Sequence, residues 1–159
     1  MNVYTADLYS SGVAGFSYLA PSFPAGDYRH SVNMDYRDLA YGNDVLTHEA
    51  GHHLGLPHTF SSSCNMDGDG VGDTPRHLDS QLWSCNDNLD SCPNDDGNDP
   101  VHNYMTYTSS SCQYEFTVGQ EDYMHFCVDT YHYGYLENNF GAPNLYVDAL
   151  SFEEDTDED

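Results

Sequence analysis

The chain has 159 residues, the size of one domain with a real core. Its 27 acidic residues face only three arginines and no lysine, and the formal charge of -24 excludes nucleic acid and anionic membrane as partners and makes cations the natural counterparts. No apolar run approaches the eighteen or so residues of a membrane span.

The N-terminus has neither the basic start nor the apolar stretch of an export signal, so such a signal is expected to be absent or to lie upstream. Most of the carboxylates are as well explained by a solvated surface suited to a salty medium as by cation binding. Five cysteines, four of them between Cys64 and Cys112 among turn residues, point to disulfides and an oxidising compartment. They lack the paired spacing of a structural zinc site.

In chain order, Asn2 to Tyr9 is short and rich in β-formers and predicts a strand. A turn over Ser10 to Gly15 leads to a second strand, Phe16 to Leu19, which Pro21 and Pro24 end and mark as an edge strand. Ser31 to Tyr36 alternates as a third strand, and Gly42-Asn43-Asp44 supplies a turn and an N-cap for the helix that follows. An exposed edge strand beside that helix is suited to holding an extended peptide by main-chain pairing.

The helix carries His48-Glu49-Ala50-Gly51-His52. One turn apart, His48 and His52 project from the same face and are placed to hold one zinc ion, with Glu49 facing the metal-bound water. Gly55 suits a helix stop, because glycine takes the left-handed conformation that swings the chain round and returns His58 as a third ligand. The result is the metzincin form of the zinc-peptidase signature, much rarer by chance than the bare histidine pair. A helix carrying surface histidines is the plain alternative, and it leaves the downstream features unexplained. His53 points elsewhere and is assigned to packing.

From Ser61 to Pro100 turn residues dominate, a stretch that disulfides and ions must pin where a core does not. Within it, Asp67-Gly68-Asp69-Gly70-Val71-Gly72-Asp73-Thr74-Pro75 gathers carboxylates and a hydroxyl on a glycine-rich turn. This suits calcium, though not as an EF-hand, or else it is a solvated acidic loop. Asp87 to Asp99 reads as solvated surface. Asn103 to Tyr107 is short and aromatic, and its Met105 stands where a metzincin puts the turn that packs a methionine under the metal. Tyr107 is then placed to direct its hydroxyl at the metal. Phe116 to Gln120 reads as a cap leading into a last helix over Val118 to Val128, and the acidic end from Glu153 to Asp159 is expected to be disordered.

Together these residues resemble the pappalysin family of metzincins over residues 1 to 128. The resemblance rests on the long histidine motif running into His58-Thr59-Phe60, then Cys64, the Gly68 to Pro75 box, Cys85 and Cys92. It continues through Asn103 to Tyr107, Cys112, and Phe116 to Gln120. It implies an α+β fold in which a twisted sheet packs on the zinc-binding helix, followed by an irregular lower subdomain stabilised by disulfides and calcium. It further implies a secreted zinc endopeptidase that cuts proteins or peptides with a zinc-activated water and one catalytic Zn2+, and that uses Ca2+ structurally.

By the resemblance, His48, His52 and His58 are zinc ligands, Glu49 the general base, Tyr107 a transition-state hydroxyl and Met105 the Met-turn. Asp69, the Val71 carbonyl and Thr74 carry over as calcium ligands, and the disulfides as Cys64 with Cys92 and Cys85 with Cys112. Residues 129 to 159 fall outside as a C-terminal extension. Family members have another strand or two and a long helix before the strand at Asn2, and a prosegment, so these are expected upstream or trimmed away. Tyr123-Met124 stands where the family usually has Arg-Met, and Cys127 has no assigned partner. A secreted zinc- and calcium-binding protein without proteolytic activity is the principal alternative, and an acidic calcium-binding matrix protein the weaker one.

Overall fold

The structure, a computed structural model, describes residues 1–20, 22–23, 27–41, 44–65, 68–79 and 85–132. Pro21, Pro24, Gly42, Asn43, Asp67 and the acidic C-terminal stretch, all of which entered the sequence reading, lie outside the described residues.

Three short strands form one sheet: β1 (Asn2–Ala6), β2 (Gly15–Ser17) and β3 (Ser31–Asp35), in the order β1-β3-β2. β1 runs parallel to β3 with Val3 opposite Val32, and β2 runs antiparallel with Phe16 opposite Asn33. Central β3 is the buried strand, with Val32 and Met34 almost wholly enclosed. β2 lies at an edge of this sheet, the position the nearby prolines predicted.

The first strand stops at Ala6, short of the predicted Tyr9, for a local reason. The Asp35 carboxylate accepts from the backbone N–H groups of Leu8 (2.8 Å) and Tyr9 (3.1 Å), bending the chain into a single 3-10 turn over Tyr9–Ser11. The same carboxylate accepts from the Arg37 N–H and guanidinium, which ends β3 at Asp35 and starts α1 (Tyr36–Tyr41), a helix the sequence did not announce.

Asp44 sits at the N-cap of α2 (Val45–His53), although its side chain bonds no backbone N–H there. α2 packs against β2 and β3, so the motif helix lies directly on the sheet. The last helix, α3 (Val118–Tyr131), begins where predicted and runs three residues beyond Val128. Its entry is a full capping box, Thr117 accepting from Gln120 N–H while the Gln120 side chain accepts from Thr117 N–H.

Between α2 and α3 the described chain is mostly turns and bends, with a 3-10 turn over Ser63–Asn65. Two disulfides cross-link it, Cys64 with Cys92 and Cys85 with Cys112. A small core of Leu56, Val71 and Met105, flanked by Phe116 and Met124, joins this region to the helices. One acidic residue departs from the solvated reading: Asp99 is buried and accepts from both the N–H and the hydroxyl of Ser91.

Candidate metal centre and cleft

α2 ends in a way that returns the chain on itself. Leu54 N–H bonds the Ala50 carbonyl, and Gly55 follows at φ 105°, a left-handed backbone that favours glycine. Leu56 N–H then bonds the Gly51 carbonyl at 2.9 Å. Three residues later Thr59 N–H is held by the Met105 carbonyl, which fixes His58 over the helix.

The three histidines of the motif meet. His58 Nε2 lies 3.1 Å from His48 Nε2 and 3.0 Å from His52 Nε2. Each helical ring is oriented through its far nitrogen, His48 Nδ1–H donating to the Tyr104 carbonyl (2.6 Å) and His52 Nδ1–H to the Leu56 carbonyl (2.7 Å). A carbonyl only accepts, so the proton of each ring sits on Nδ1 and the lone pair on Nε2 faces its neighbours. The two lone pairs converge on His58 Nε2, and a cation seated among the three nitrogens would satisfy all of them. A tetrahedral zinc with bonds of 2.0–2.1 Å sets its nitrogens about 3.3 Å apart, close to the spacing seen, so the donor set fits that ion. Burial and the neighbouring His52 hold His48 down at about 4, and burial with the other two rings holds His58 down at about 3. Burial also lowers His52. All three rings are therefore neutral at physiological pH.

Glu49 stands beside this cluster, and its Oε2 is buried with no hydrogen-bond partner among the described residues. Burial pushes its carboxyl up to about 7. Gly15 of β2 runs so close that a Cβ there would sit 3.0 Å from Glu49 Cγ, so edge strand and Glu49 share one wall. The opposite wall carries Tyr107, its ring centroid 4.6 Å from that of His58 and 5.6 Å from that of His48. Between the walls is a cleft of about 640 Å³ onto which His48, Glu49 and Tyr107 open. Phe60 stacks on His58 at 4.7 Å, a contact the sequence reading did not include.

Met105 is fully buried beneath α2, packed where a side chain on Gly51 would collide with its Sδ. Its turn is set by Asn103, whose Oδ1 accepts from Met105 N–H (2.9 Å) and whose Nδ2 donates to Gln120 Oε1 (2.6 Å). Gln120, also fully buried, donates in turn to Asp69 Oδ2 at 3.3 Å.

Asp69, Val71 and Thr74 come together in one buried turn. There Asp69 Oδ1 accepts from Val71 N–H, and the Val71 carbonyl accepts from Thr74 N–H at 3.2 Å. Burial raises the Asp69 carboxyl. Cys127 is a free thiol, fully buried against Gly55.

The sequence reading missed a second cluster. His53, assigned to packing, is fully buried beside His30 and His132, residues 23 and 79 positions away along the chain. No local spacing links the three, so only the fold reveals them.

The chain is similar to known proteins. The sequence model of peptidase family M43, described as pregnancy-associated plasma protein-A, matches residues 1–129. An extracellular metalloprotease of Pyricularia oryzae is 39% identical over 132 residues, covering 76% of this chain and 45% of the relative. Mirolysin in complex with a compound superposes with a TM-score of 0.67 at 27% identity, over 82% of this chain and 52% of mirolysin. Mature mirolysin of Tannerella forsythia in complex with a cleaved peptide gives 0.64 at 25%, over 79% and 50%. The chain spans about half the length of the curated relatives it matches.

Proposed function

This chain belongs to the pappalysin family of metallopeptidases, peptidase family M43, and we propose on that footing that it is a zinc-dependent endopeptidase acting on proteins or peptides. The observation that carries the reading is the convergence of His48, His52 and His58 through their Nε2 atoms, with an unpartnered carboxylate oxygen of Glu49 beside them. A zinc ion held by these rings supplies Lewis acidity, which brings the pKa of a water near 7 and polarises a carbonyl.

The chain's own groups do the rest. Glu49 accepts the proton of the attacking water and passes it to the leaving amine, a role suited to a carboxyl that burial has raised toward neutrality. The Tyr107 hydroxyl donates to the oxygen on which negative charge develops. Burial, and then the charge of Glu49, raise that phenol, so it keeps its proton for the purpose. The edge of β2 aligns an extended substrate by main-chain pairing along the wall that Glu49 shares. Met105, packed on Gly51, holds the helix in place from below.

The catalytic unit is assigned to residues 1–128, and 129–159 to an extension. The Asp69 carboxylate, Val71 carbonyl and Thr74 hydroxyl are read as a structural calcium site, supported by their burial in one turn. Added calcium is expected to raise the Tm of the parent and not of D69N. Two disulfides and the extracellular relatives support a secreted protein.

The test is incubation of the purified chain with a quenched generic protein substrate, with and without a zinc chelator. Turnover that the chelator stops and zinc restores is the expected result. Stoichiometric zinc without turnover indicates a binding protein instead, and absence of stoichiometric zinc removes the reading altogether.

A further inference from the structure

Behind α2, on the side away from the cleft, three more imidazoles meet. His30 comes from the turn ahead of β3, His53 from the last turn of α2, and His132 from the C-cap of α3. A ring nitrogen from each lies within 4.8 Å of the others. Ring centroids are 4.4 Å apart for His30 and His132, 4.6 Å for His30 and His53, and 5.1 Å for His53 and His132. His53 and His132 are fully buried, and His30 is partly exposed.

One detail repeats the logic of the first cluster. His132 Nε2–H donates to the His53 carbonyl at 3.0 Å, which puts the ring proton on Nε2 and leaves the lone pair on Nδ1. A histidine oriented through a backbone carbonyl by one ring nitrogen is how proteins prepare a metal ligand. Imidazole donors suit borderline divalent ions such as zinc.

Ordinary packing of three rings is the competing explanation. It does not account for ring nitrogens from three separate elements converging to within 4.8 Å of one another. Ring centroids are spaced much as in the first cluster, where they lie 4.5–5.1 Å apart, but the stacked pair, inclined by 19°, must open for both rings to reach one ion. His30, on a turn and only partly buried, is the ring with room to rotate.

We propose that His30, His53 and His132 form a second metal site, for a divalent ion of the zinc class, that staples the turn before β3, the back of α2 and the end of α3. The site is separate from the cleft and stands whether or not the chain cleaves peptides.

The test titrates the metal-free full chain with Zn2+ alone and reads the histidine rings by long-range proton–nitrogen NMR. Two groups of rings are expected to change from free to metal-bound nitrogen signals: His48, His52 and His58 in one, His30, His53 and His132 in the other. H30Q abolishes the change in the second group only, and lowers the zinc retained after desalting by about one ion per chain. H58Q does the reverse. The proposal is overturned if the rings of His30, His53 and His132 keep free signals at saturating zinc, a result that needs no variant to fold. It is equally overturned if folded H30Q retains as much zinc as the parent. A first group that stays unchanged sinks the peptidase reading alone.

Discussion

At the scale of single residues, the cleft turns on Glu49. Burial raises its carboxyl to about 7, while a divalent cation on the adjacent rings works in the opposite direction by stabilising the carboxylate. A general base acts deprotonated, so kcat/KM is expected to rise with pH along an acid limb centred at or below about 7. E49Q keeps zinc, loses about 10²–10⁴-fold in kcat and loses that limb. A pH–rate profile of parent and variant with zinc analysis checks this, and an equally active E49Q removes Glu49 from the role. The first cluster was legible because its histidines follow helical spacing and one glycine stop, both local properties of the chain. His30, His53 and His132 were not, since their only relation is three-dimensional.

At the scale of elements, the long motif helix and the capped last helix were readable from spacing and from Thr117 with Gln120. The six-residue α1 and the early end of β1 were not, because one buried carboxylate reaching across the chain decides both. Asp35 accepts from Leu8, Tyr9 and Arg37, and the Arg37 guanidinium above all holds its carboxyl well below the usual carboxylate range. A folded-state pKa below the unfolded value of about 3.9 means the contribution is complete above that pH and is lost as pH falls below it. D35N is therefore expected to lower Tm at neutral pH, and the gap to the parent is expected to narrow on acidification below about pH 4. Thermal melts across pH test the sign, and a gap that widens with acid contradicts it.

The packing of α2 on the Met105 turn leads to a second prediction at this scale. Alanine at Gly51 improves helix propensity by about 1 kcal/mol, but its Cβ meets the Met105 sulfur in a fully enclosed site. Overpacking costs about 1–3 kcal/mol, so G51A is expected to be destabilised on balance and to bind zinc more weakly. Denaturant unfolding of the zinc-loaded protein decides, and a variant as stable as the parent shows that the methionine moves aside at little cost.

For the whole molecule, the question is what holds a chain of this charge together. Disulfide-bonded positions alternate along the sequence, 64 and 85 with 92 and 112, so the irregular stretch is clamped to the segment that carries the Met105 turn. Cysteine number was readable, but the hydrogen bonds that place the loops, such as Asp99 with Ser91, leave no mark in composition.

The electrostatic side is less favourable. All three arginines are paired, Arg29 with Asp27, Arg37 with Asp35 and Asp7, and Arg76 with Asp95, yet the formal charge remains -24. The exposed pairs, unlike Arg37 with the buried Asp35, contribute about 0–1 kcal/mol each, so screening them costs little. Self-repulsion among the remaining carboxylates is the larger quantity, and it acts over a range that shrinks from about 30 Å at 0.01 M salt to about 3 Å at 1 M. Tm is therefore expected to rise steadily with sodium chloride over that range, in metal-loaded and metal-free protein alike. A flat response would mean that the carboxylates are already neutralised by bound divalent ions. Repeating the melts after chelation separates the cases, because stripping such ions must then restore the dependence on salt.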